Sequence, residues 1–508
     1  MIGTTKPGRF FDASRFQVSD EEYRRINPFD WSAFRPGRSG KTFQVSDGFD
    51  CIIGNPPYVR IQTLKEWAPL EVEMYKEQYA AARAGNYDIY VVFVEKALQL
   101  LNERGRLGFI LPHKFFNAQY GEPLRELIAR GKHLARVVHF GDQQIFTGAT
   151  TYTCLMFLDK AGSDACEFVK VDDLNAWRAE GKTIEGTIPA TSITNAEWNF
   201  AVGKDAALFE RLRAMPVKLG DVADIFVGLQ TSADDVFILD LIEETPRALR
   251  LKSKSLDAEW TFEKDLLFPL VSGTDVNRYA VLPERQFILF PYHVKDDSAT
   301  LMDWETILKN YPKTAAYLLE NKKRLEERER GKFKGREWYR FGRNQNIGIQ
   351  ERVKLCVPRL VEKLRAAYDV EGKHFLDNVD VGGITLKPEY QQQGLVYLLG
   401  LLNSNLLRWY FPFISAPFRG GWRSANRQFL SQLPIRALNL ADAADKAAHD
   451  QIVARVTQML ELHTRLRAAQ TAHDRDLVQR QIDATDAAID ELVYQLYGVT
   501  EEERQVVE

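Results

Sequence analysis

One short polar loop in the sequence has residue types suited to chemistry on the amino group of a base: it reads Asn55-Pro56-Pro57-Tyr58. The Asn55 side chain offers one hydrogen-bond acceptor and two donors. The Pro56 carbonyl can accept another hydrogen bond, because the neighbouring proline has no N–H. Together these groups can hold both protons of an exocyclic amino group. Tyr58 adds a flat face on which a planar base can stack, a contact worth about 1–3 kcal/mol.

The element before this loop reads as a strand. Cys51, Ile52 and Ile53 form a continuous apolar run, which is typical of a parallel strand buried on both faces. Gly54 ends the run, and the prolines that follow fix φ and make the loop stiff. Open α/β sheets bind their ligands at the carboxyl ends of their strands. The loop is therefore predicted at a ligand-binding edge of such a sheet.

The whole run from Phe49 to Tyr58 resembles the Asn-Pro-Pro-Tyr motif of S-adenosylmethionine-dependent amino methyltransferases, especially the gamma-type adenine-N6 DNA enzymes. The resemblance implies methyl transfer from S-adenosylmethionine to adenine N6 in duplex DNA, within a restriction–modification or related defence system. It implies that the base is flipped into the site. Asn55, Pro56, Pro57 and Tyr58 would be the catalytic residues. A plain Pro-Pro turn in a loop is the structural alternative.

The resemblance also implies a helix beside the cofactor. Residues 85–104 carry apolar residues at helical spacing, as in the family's helix after the catalytic loop. Asp88, Tyr90 and Phe93 are the cofactor-adjacent candidates on this segment, and Asp88 is the predicted amino-terminal cap. An ordinary amphipathic core helix explains most of the same residues.

Further strands and one more aromatic residue complete the predicted catalytic region. We predict a buried strand at 105–112, a helix around 124–128, and an antiparallel hairpin of strands 136–140 and 151–158. Phe146 lies in the hairpin connection. In Taq-type relatives an aromatic residue at this place stacks on the flipped base, so Phe146 is the candidate second stacking face. The alternative is a phenylalanine packed into the sheet.

The part of the sequence before residue 49 lacks an expected unit. A methyltransferase needs a strand that ends in a Gly-rich turn for the methionine end of the cofactor, and an acidic residue for its ribose. No strand–Gly-x-Gly–helix unit precedes residue 49. We therefore expect an incomplete S-adenosylmethionine site, completed by an upstream segment or another chain. The strand at 50–53 would then expose an apolar edge, which favours aggregation or partner binding.

A second module begins near residue 219 and resembles the TaqI-like specificity domain. The resemblance is carried by residues 219–231, 268–276, 288–292 and 399–405. It implies that this module selects a site in double-stranded DNA, which is the expected partner.

Two basic regions of this module are candidate DNA contacts. Residues 322–343 hold ten Lys or Arg and four Glu, with Trp338, Tyr339 and Phe341 interleaved. Residues 415–427 hold three Arg with Phe418 and Trp422, and no acidic residue. Arginine with aromatics suits phosphate and base-edge contacts. A solvated helix with ion pairs is the alternative for 322–330. The DNA-binding candidates are Arg336, Arg340, Arg419, Trp422, Arg423 and Arg427.

The predicted fold class is α/β: the carboxyl-terminal half of a Rossmann-like methyltransferase sheet, then an α+β DNA-recognition domain and a carboxyl-terminal helical pair. The boundaries are a partial methyltransferase domain at 1–160, a linker at 161–215, a recognition domain at 216–440, and a helical segment at 441–508 with apolar stripes at helical spacing.

Composition limits the remaining possibilities. The 508 residues carry a formal net charge of −3, so a nucleic-acid surface must be a local patch. The four cysteines show no Cys-x-x-Cys spacing, which indicates reduced thiols and no metal site. No apolar run is long enough for a membrane helix, so we expect a cytoplasmic protein. Two alternatives stay open: a non-catalytic DNA-recognition fragment or subunit that needs a partner for cofactor binding, and methylation of RNA or of a protein glutamine.

Overall fold

The computed structural model describes residues 48–146, 151–378, 380–418 and 420–508. The chain divides into two compact units, between Val202 and Gly203. In the described part of the chain, no helix combines the length and the apolar character needed to cross a membrane.

The first unit is built on a mixed sheet with the strand order β1-β2-β4-β3-β5-β6. The pairs β1–β2 and β3–β5 are parallel, and the other neighbours are antiparallel. The strands are β1 Phe49–Gly54, β2 Leu101–Pro112, β3 Leu134–His139, β4 Thr153–Asp159, β5 Ala165–Lys170 and β6 Ile184–Pro189. The helices are α1 Ile61–Trp67, α2 Pro69–Gln78, α3 Tyr90–Leu100, α4 Glu122–Arg130 and α5 Leu174–Glu180.

The predicted hairpin and the predicted second strand are confirmed, because β3 pairs antiparallel with β4 and β4 pairs with β2. The predicted linker differs from the structure. The strands β5 and β6 continue the sheet through residues 165–189. Apolar side chains such as Cys166 and Phe168 alternate along β5 and are buried, and this alternation extends the sheet.

The start of α3 corrects one prediction about Asp88. The helix begins at Tyr90 after Ile89, and no side chain caps it. Asp88 lies instead in an extended segment that pairs with the chain after the polar loop, forming a bridge with Arg60. The backbone N–H of Ile89 donates to the Val59 carbonyl at 2.9 Å, so this pairing, rather than a cap, sets the direction from which the chain enters α3.

The strand β1 lies at the edge of the described sheet. Ile52 packs partly against the core, whereas Cys51 is exposed and Ile53 is 83% exposed. The expectation of a strand buried on both faces is therefore wrong for the described residues, because only the Ile52 side of β1 is covered. Within the described residues, this leaves the apolar Ile53 side chain exposed on an edge strand, as expected.

The second unit contains two larger sheets, with strand orders β10-β9-β8-β12-β11-β18 and β17-β15-β19-β7, and two small ones, β13-β14 and β16-β20. Its strands are β7 Ala223–Val227, β8 Ile238–Glu244, β9 Ala248–Ser253, β10 Ala258–Glu263, β11 Leu267–Val271, β12 Gln286–Leu289, β13 Tyr292–Lys295, β14 Ser298–Leu301, β15 Lys354–Pro358, β16 Leu360–Val361, β17 Ala367–Asp369, β18 Phe375–Leu376, β19 Val381–Leu386 and β20 Arg423–Ser424.

Its helices are α6 Ala206–Arg213, α7 Leu219–Val222, α8 Asp234–Phe237, α9 Trp304–Asn310, α10 Pro312–Glu320, α11 Lys322–Glu326, α12 Arg328–Gly331, α13 Gly394–Asn403, α14 Asn405–Ile414, α15 Arg427–Leu430, α16 Ala443–Ala468, α17 Ala472–Tyr497 and α18 Glu501–Val507. The predicted helical pair is confirmed as α16 and α17, which pack on each other through buried stripes that include Val456 and Ile489. Gly498 ends α17 in the left-handed conformation, as its predicted role as a cap requires.

Candidate functional site

The polar loop lies at the carboxyl end of β1, with its donors and acceptors available. Gly54 stands opposite Phe109 in the parallel pairing with β2, and the loop begins directly after it. Asn55 is exposed, and no described residue hydrogen-bonds its side chain. Pro56 is buried, but within the described ranges nothing donates a hydrogen bond to its carbonyl. These two oxygens can accept hydrogen bonds from both N–H groups of an amino group presented at the sheet edge.

Tyr58 is held in place by the neighbouring strand. Its hydroxyl donates a 3.0 Å hydrogen bond to the carbonyl of Ile110 in β2. Its ring makes a T-shaped contact with Tyr90, with ring centroids 6.4 Å apart. Burial raises the pKa of Tyr58 to about 12, so the hydroxyl stays protonated and keeps donating at neutral pH. The orientation of the ring is therefore fixed before any base binds.

The three cofactor-adjacent candidates differ in accessibility. Tyr90 is fully buried, and its hydroxyl lies 2.8 Å from that of Tyr120, so it supports Tyr58 from the core. Asp88 is 9% exposed, and among the described residues its carboxylate has no hydrogen bond or ion pair. Burial raises its pKa, against smaller opposing effects of Lys114 and Arg60.

The third candidate, Phe93, lies on α3 and is exposed. Asp88 and Phe93 could contact a ligand directly, whereas Tyr90 could act only through the side chains that cover it.

The basic region 322–343 folds around its aromatic residues. Trp338, Tyr339 and Phe341 are buried in the core of the second unit. The Tyr339 hydroxyl donates to the Met302 carbonyl at 2.7 Å, and the Phe341 backbone N–H donates to the Tyr292 hydroxyl at 2.6 Å. The interpretation of these aromatics as part of a DNA-contact surface is therefore wrong: apolar packing and hydrogen bonds hold them inside.

The two predicted arginines of this region have different surroundings. Arg336 is exposed, and none of the described carboxylates pairs with it. Arg340 is half-buried. Its guanidinium lies 4.6 Å from the centroid of the Phe333 ring and its Nε lies 3.9 Å from Glu337. Arg336 is thus available to a phosphate or a base, whereas Arg340 is already engaged on two sides.

The basic region 415–427 forms a tight hairpin. The Phe418 backbone N–H donates to the Trp422 carbonyl at 2.7 Å, and both aromatic side chains are exposed, by 45% and 36%. Gly420 and Gly421 turn the chain with φ of +80° and +81°. Such a turn presents the two aromatic rings at the surface.

The two predicted arginines of this hairpin region that the structure describes also differ. Arg423 is half-buried and donates to the Pro412 carbonyl at 3.3 Å, and Arg427 is exposed. Arg419 lies outside the described residues. Contact of these residues with DNA stays a prediction.

Comparison with known protein families gives a match for each of the two predicted modules. Residues 5–146 match the Eco57I restriction-modification methylase family, and residues 268–435 match the TaqI-like C-terminal specificity domain. The chain carries an Eco57I-type methylase domain and a TaqI-like specificity domain. The predicted resemblance is confirmed, and the chain is homologous to type II restriction-modification methyltransferases.

Two relatives indicate how much of such enzymes the chain spans. It is 26% identical over 504 residues to the type II restriction enzyme and methyltransferase RM.Eco57I of Escherichia coli, a match that covers 95% of the chain and 48% of that protein. It is 25% identical over 476 residues to the type II methyltransferase M.PaeR7I of Pseudomonas aeruginosa, covering 90% and 72%. The chain therefore spans about half the length of RM.Eco57I.

A solved structure of the type IIL restriction-modification enzyme MmeI in complex with DNA shares the fold. The TM-score is 0.56 at 12% sequence identity, and the match covers 90% of this chain and 56% of MmeI.

The methylase domain contains a histidine pair that the sequence analysis missed. His113 follows β2, and His139 ends β3; their rings lie 4.2 Å apart. His113 Nε2 lies 3.1 Å from the Gly141 carbonyl. Because β1, β2 and β3 run in one direction, the pair lies at the same sheet edge as the polar loop. A signal was available, since His113 directly follows the predicted strand 105–112 and His139 lies one residue before the end of the predicted strand 136–140.

The connection that contains Phe146 is anchored at its start. The Gln143 side chain donates to the Val171 carbonyl at 2.6 Å and accepts from the Leu174 N–H at 2.5 Å. Phe146 is half-buried and makes no ring contact with Tyr58, both residues being within the described ranges. Stacking of Phe146 on a flipped base stays a prediction.

Proposed function

We propose that the chain transfers a methyl group from S-adenosylmethionine to adenine N6 in duplex DNA, at a site chosen by its specificity domain, within a restriction–modification system. The free Asn55 amide and Pro56 carbonyl beside the fixed Tyr58 ring carry this proposal. Asn55 Oδ1 and the Pro56 carbonyl accept hydrogen bonds from the two N–H groups of the amino group, while Tyr58 stacks on the ring. Positioning of the nucleophile, rather than a strong base, supplies most of the rate gain.

One of the residues present, Asp88, has chemistry that suits a group of S-adenosylmethionine. Asp88 is 9% exposed, and no described side chain hydrogen-bonds or ion-pairs with its carboxylate, so this carboxylate favours a cationic ligand group. The ammonium of the methionine part of the cofactor has that chemistry. When bound, the cofactor supplies a methyl group on a sulfonium, which activates it for attack. Asp88 would hold the cofactor, and Phe93 would cover it.

The position of β1 supports a further strand beside it, which would complete the cofactor site. No strand of the described residues pairs with β1 on the side away from β2, and such an edge, with the exposed Ile53 side chain on it, favours strand addition. The same observation favours the second candidate function, a DNA-recognition subunit whose cofactor site depends on a partner that supplies this strand.

Calorimetric titration of S-adenosylmethionine into the 508-residue chain, with and without duplex DNA, separates the two candidates. Binding by the chain alone supports the methyltransferase. DNA binding without cofactor binding supports the partner-dependent subunit.

The base specificity is tested by transfer of a labelled methyl group to duplex DNA, followed by nucleoside analysis. We expect N6-methyladenine with the wild-type chain and at least a hundredfold less with Asn55→Ala. Label on cytosine would overturn the adenine assignment. In a parallel assay with RNA as the substrate, transfer to RNA without transfer to DNA would overturn the choice of DNA.

A further inference from the structure

A buried arginine in the second unit bonds to segments on both sides of a basic loop. Arg328 in α12 is 7% exposed. Its Nε donates to the Leu325 carbonyl at 2.9 Å, and its Nη1 donates to the Thr231 carbonyl at 2.8 Å. Its Nη2 donates to the carbonyls of Trp338 at 2.8 Å and Arg340 at 2.9 Å. One side chain therefore fixes three separate backbone segments relative to each other.

The charge of Arg328 is balanced by carbonyls and aromatic faces. No described carboxylate lies within ion-pair distance of it. Its guanidinium lies 4.1 Å from the centroid of the Phe333 ring and 5.8 Å from that of Phe237, in cation–π contacts. Arg340 stacks on the same Phe333 ring. Burial lowers the pKa of Arg328 to about 10, so it stays charged at neutral pH.

The backbone directly after Arg328 is strained. Glu329 and Arg330 have φ of 46° and 63°, two consecutive non-glycine residues in the left-handed region. Such residues persist where their surroundings over-determine them, and they cluster at ligand clamps. Here the carbonyl contacts of Arg328 and the 2.7 Å ion pair of Glu329 with Arg343 hold the chain in this conformation.

The strained turn opens an exposed basic loop, which we define as residues 329–337. Arg330, Lys332, Lys334 and Arg336 are exposed along it, and Gly335 stands in open space with φ of +131°. Only Lys332 of these four cations pairs with a described carboxylate, that of Glu329. After the loop, the chain returns to the core at the buried Trp338, Tyr339 and Phe341.

We infer that Arg328 is a positioning residue that pre-forms the basic loop for contact with the phosphates of duplex DNA. The inference rests on the proposed DNA-binding function. A preorganised cationic loop loses little conformational freedom on binding, so each of its phosphate contacts contributes fully to affinity. Arg328 itself is buried and cannot reach a phosphate, so any effect of its substitution on DNA binding acts through the loop.

The salt dependence of DNA binding measures this effect. The full chain is titrated with a labelled mixed-sequence duplex at several salt concentrations, since each phosphate contact contributes about 0.9 to the slope of log K against log salt. We expect Arg336→Ala to reduce the slope by about 1. We expect Arg328→Met to reduce it by about 2 or more and to weaken binding at least tenfold, although the substituted charge is buried.

The matched control is Arg125→Met in the first unit. Arg125 is also buried and donates to backbone carbonyls, those of Phe115, Ala118 and Asn195. We expect this variant to lose stability to a similar degree without any change in the salt slope. An equal slope change in both arginine variants would overturn the inference, because general destabilisation would then explain the effect.

A second variant covers the case in which Arg328→Met does not fold. Arg328→Lys keeps the charge but not the planar fork that reaches several carbonyls. We expect faster amide hydrogen exchange over residues 331–337 and the same reduced slope; unchanged exchange and slope would overturn the inference. If Arg336→Ala leaves the slope unchanged, the DNA-binding role of the loop fails. If Arg336→Ala changes the slope and neither Arg328 variant does, only the positioning role fails.

Discussion

Tyr58, the proposed base-stacking residue, is held in place by a hydrogen bond. The hydroxyl bond to the Ile110 carbonyl ties the ring to β2, and the Tyr90 ring supports it from the core. Because the pKa of Tyr58 is raised by burial to about 12, this arrangement does not change across the neutral pH range. We therefore assign the proposed role of Tyr58 to its ring and not to ionisation of its hydroxyl.

Two substitutions separate these roles in a methyl-transfer assay on duplex DNA. We expect Tyr58→Ala to lower kcat/KM by about 10- to 100-fold, since stacking on one base is worth about 1–3 kcal/mol. Tyr58→Phe keeps the ring and loses only the bond to Ile110, a change of about 1 kcal/mol, so the loss should stay below about tenfold. Equal losses in both variants would assign the effect to the hydroxyl instead.

Asp490 gives a residue-level prediction for pH. Burial raises its pKa to about 6, with Asp486 adding to the shift; Arg278, Arg408 and the Asn405 N–H oppose it. Between the ordinary value of 3.8 and about 6, the folded chain holds a proton that the unfolded chain has lost. The contribution of Asp490 to the free energy of unfolding therefore falls as pH rises through this window.

Asp490→Asn tests this contribution, because asparagine can still accept the 2.7 Å hydrogen bond from the Asn405 N–H. We expect the variant to gain about 1 kcal/mol relative to wild type between pH 5 and pH 7.5, measured by urea unfolding at both values. His463 and Tyr279 face the same cluster and are present in both chains, so their own titration contributes equally to wild type and variant. A constant difference between the two chains at both pH values would contradict the assignment.

At the scale of elements, the two long carboxyl-terminal helices derive their stability from packing. α16 and α17 contact each other along most of their length, and α13 packs on α16. Gly400 on α13 allows this approach, since a Cβ there would lie 2.8 Å from Val456 Cγ2. The helical pair is thereby part of the core of the second unit.

The packing of α17 is tested by truncating one buried and one exposed side chain. Ile489 is fully buried and Leu477 is exposed on the same helix. We expect Ile489→Ala to lower the free energy of unfolding by about 2–5 kcal/mol and Leu477→Ala to change it by less than about 0.5 kcal/mol. Denaturant unfolding followed by circular dichroism measures both, and similar values would argue against a packed interface on the Ile489 side.

At the scale of the whole molecule, the edge of the first sheet is the feature from which we expect self-association in solution. β1 is an edge strand of the described sheet, and the Ile53 side chain on it is 83% exposed. Such an edge favours association through strand pairing. A strand bound beside β1 would cover this edge. The same strand would also complete the proposed cofactor site.

A charge on this edge should reduce self-association. We expect Ile53→Lys to shift the purified chain toward the monomer in concentration-dependent light scattering. Val370→Lys is the matched control, because Val370 is an exposed apolar residue in a turn rather than on a sheet edge. An equal effect of the two variants would show that general surface charge, and not the edge, governs association.

The sequence by itself determined the local features of the molecule. The Asn-Pro-Pro-Tyr loop, the strands around it and the cap at Gly498 depend on proline, glycine and short-range periodicity, which act within a few residues. The two-module organisation followed from motifs of the same local kind.

The tertiary structure alone decided which side chains face solvent. Trp338 and Trp422 both stand among arginines, yet Trp338 is buried in the core and Trp422 is exposed on a hairpin. Arg328 is likewise indistinguishable from its basic neighbours in the sequence but lies inside the fold. Asp88 forms a backbone β-bridge with Arg60 instead of capping the following helix. Burial depends on long-range packing between segments far apart in the chain, and local residue patterns do not encode it.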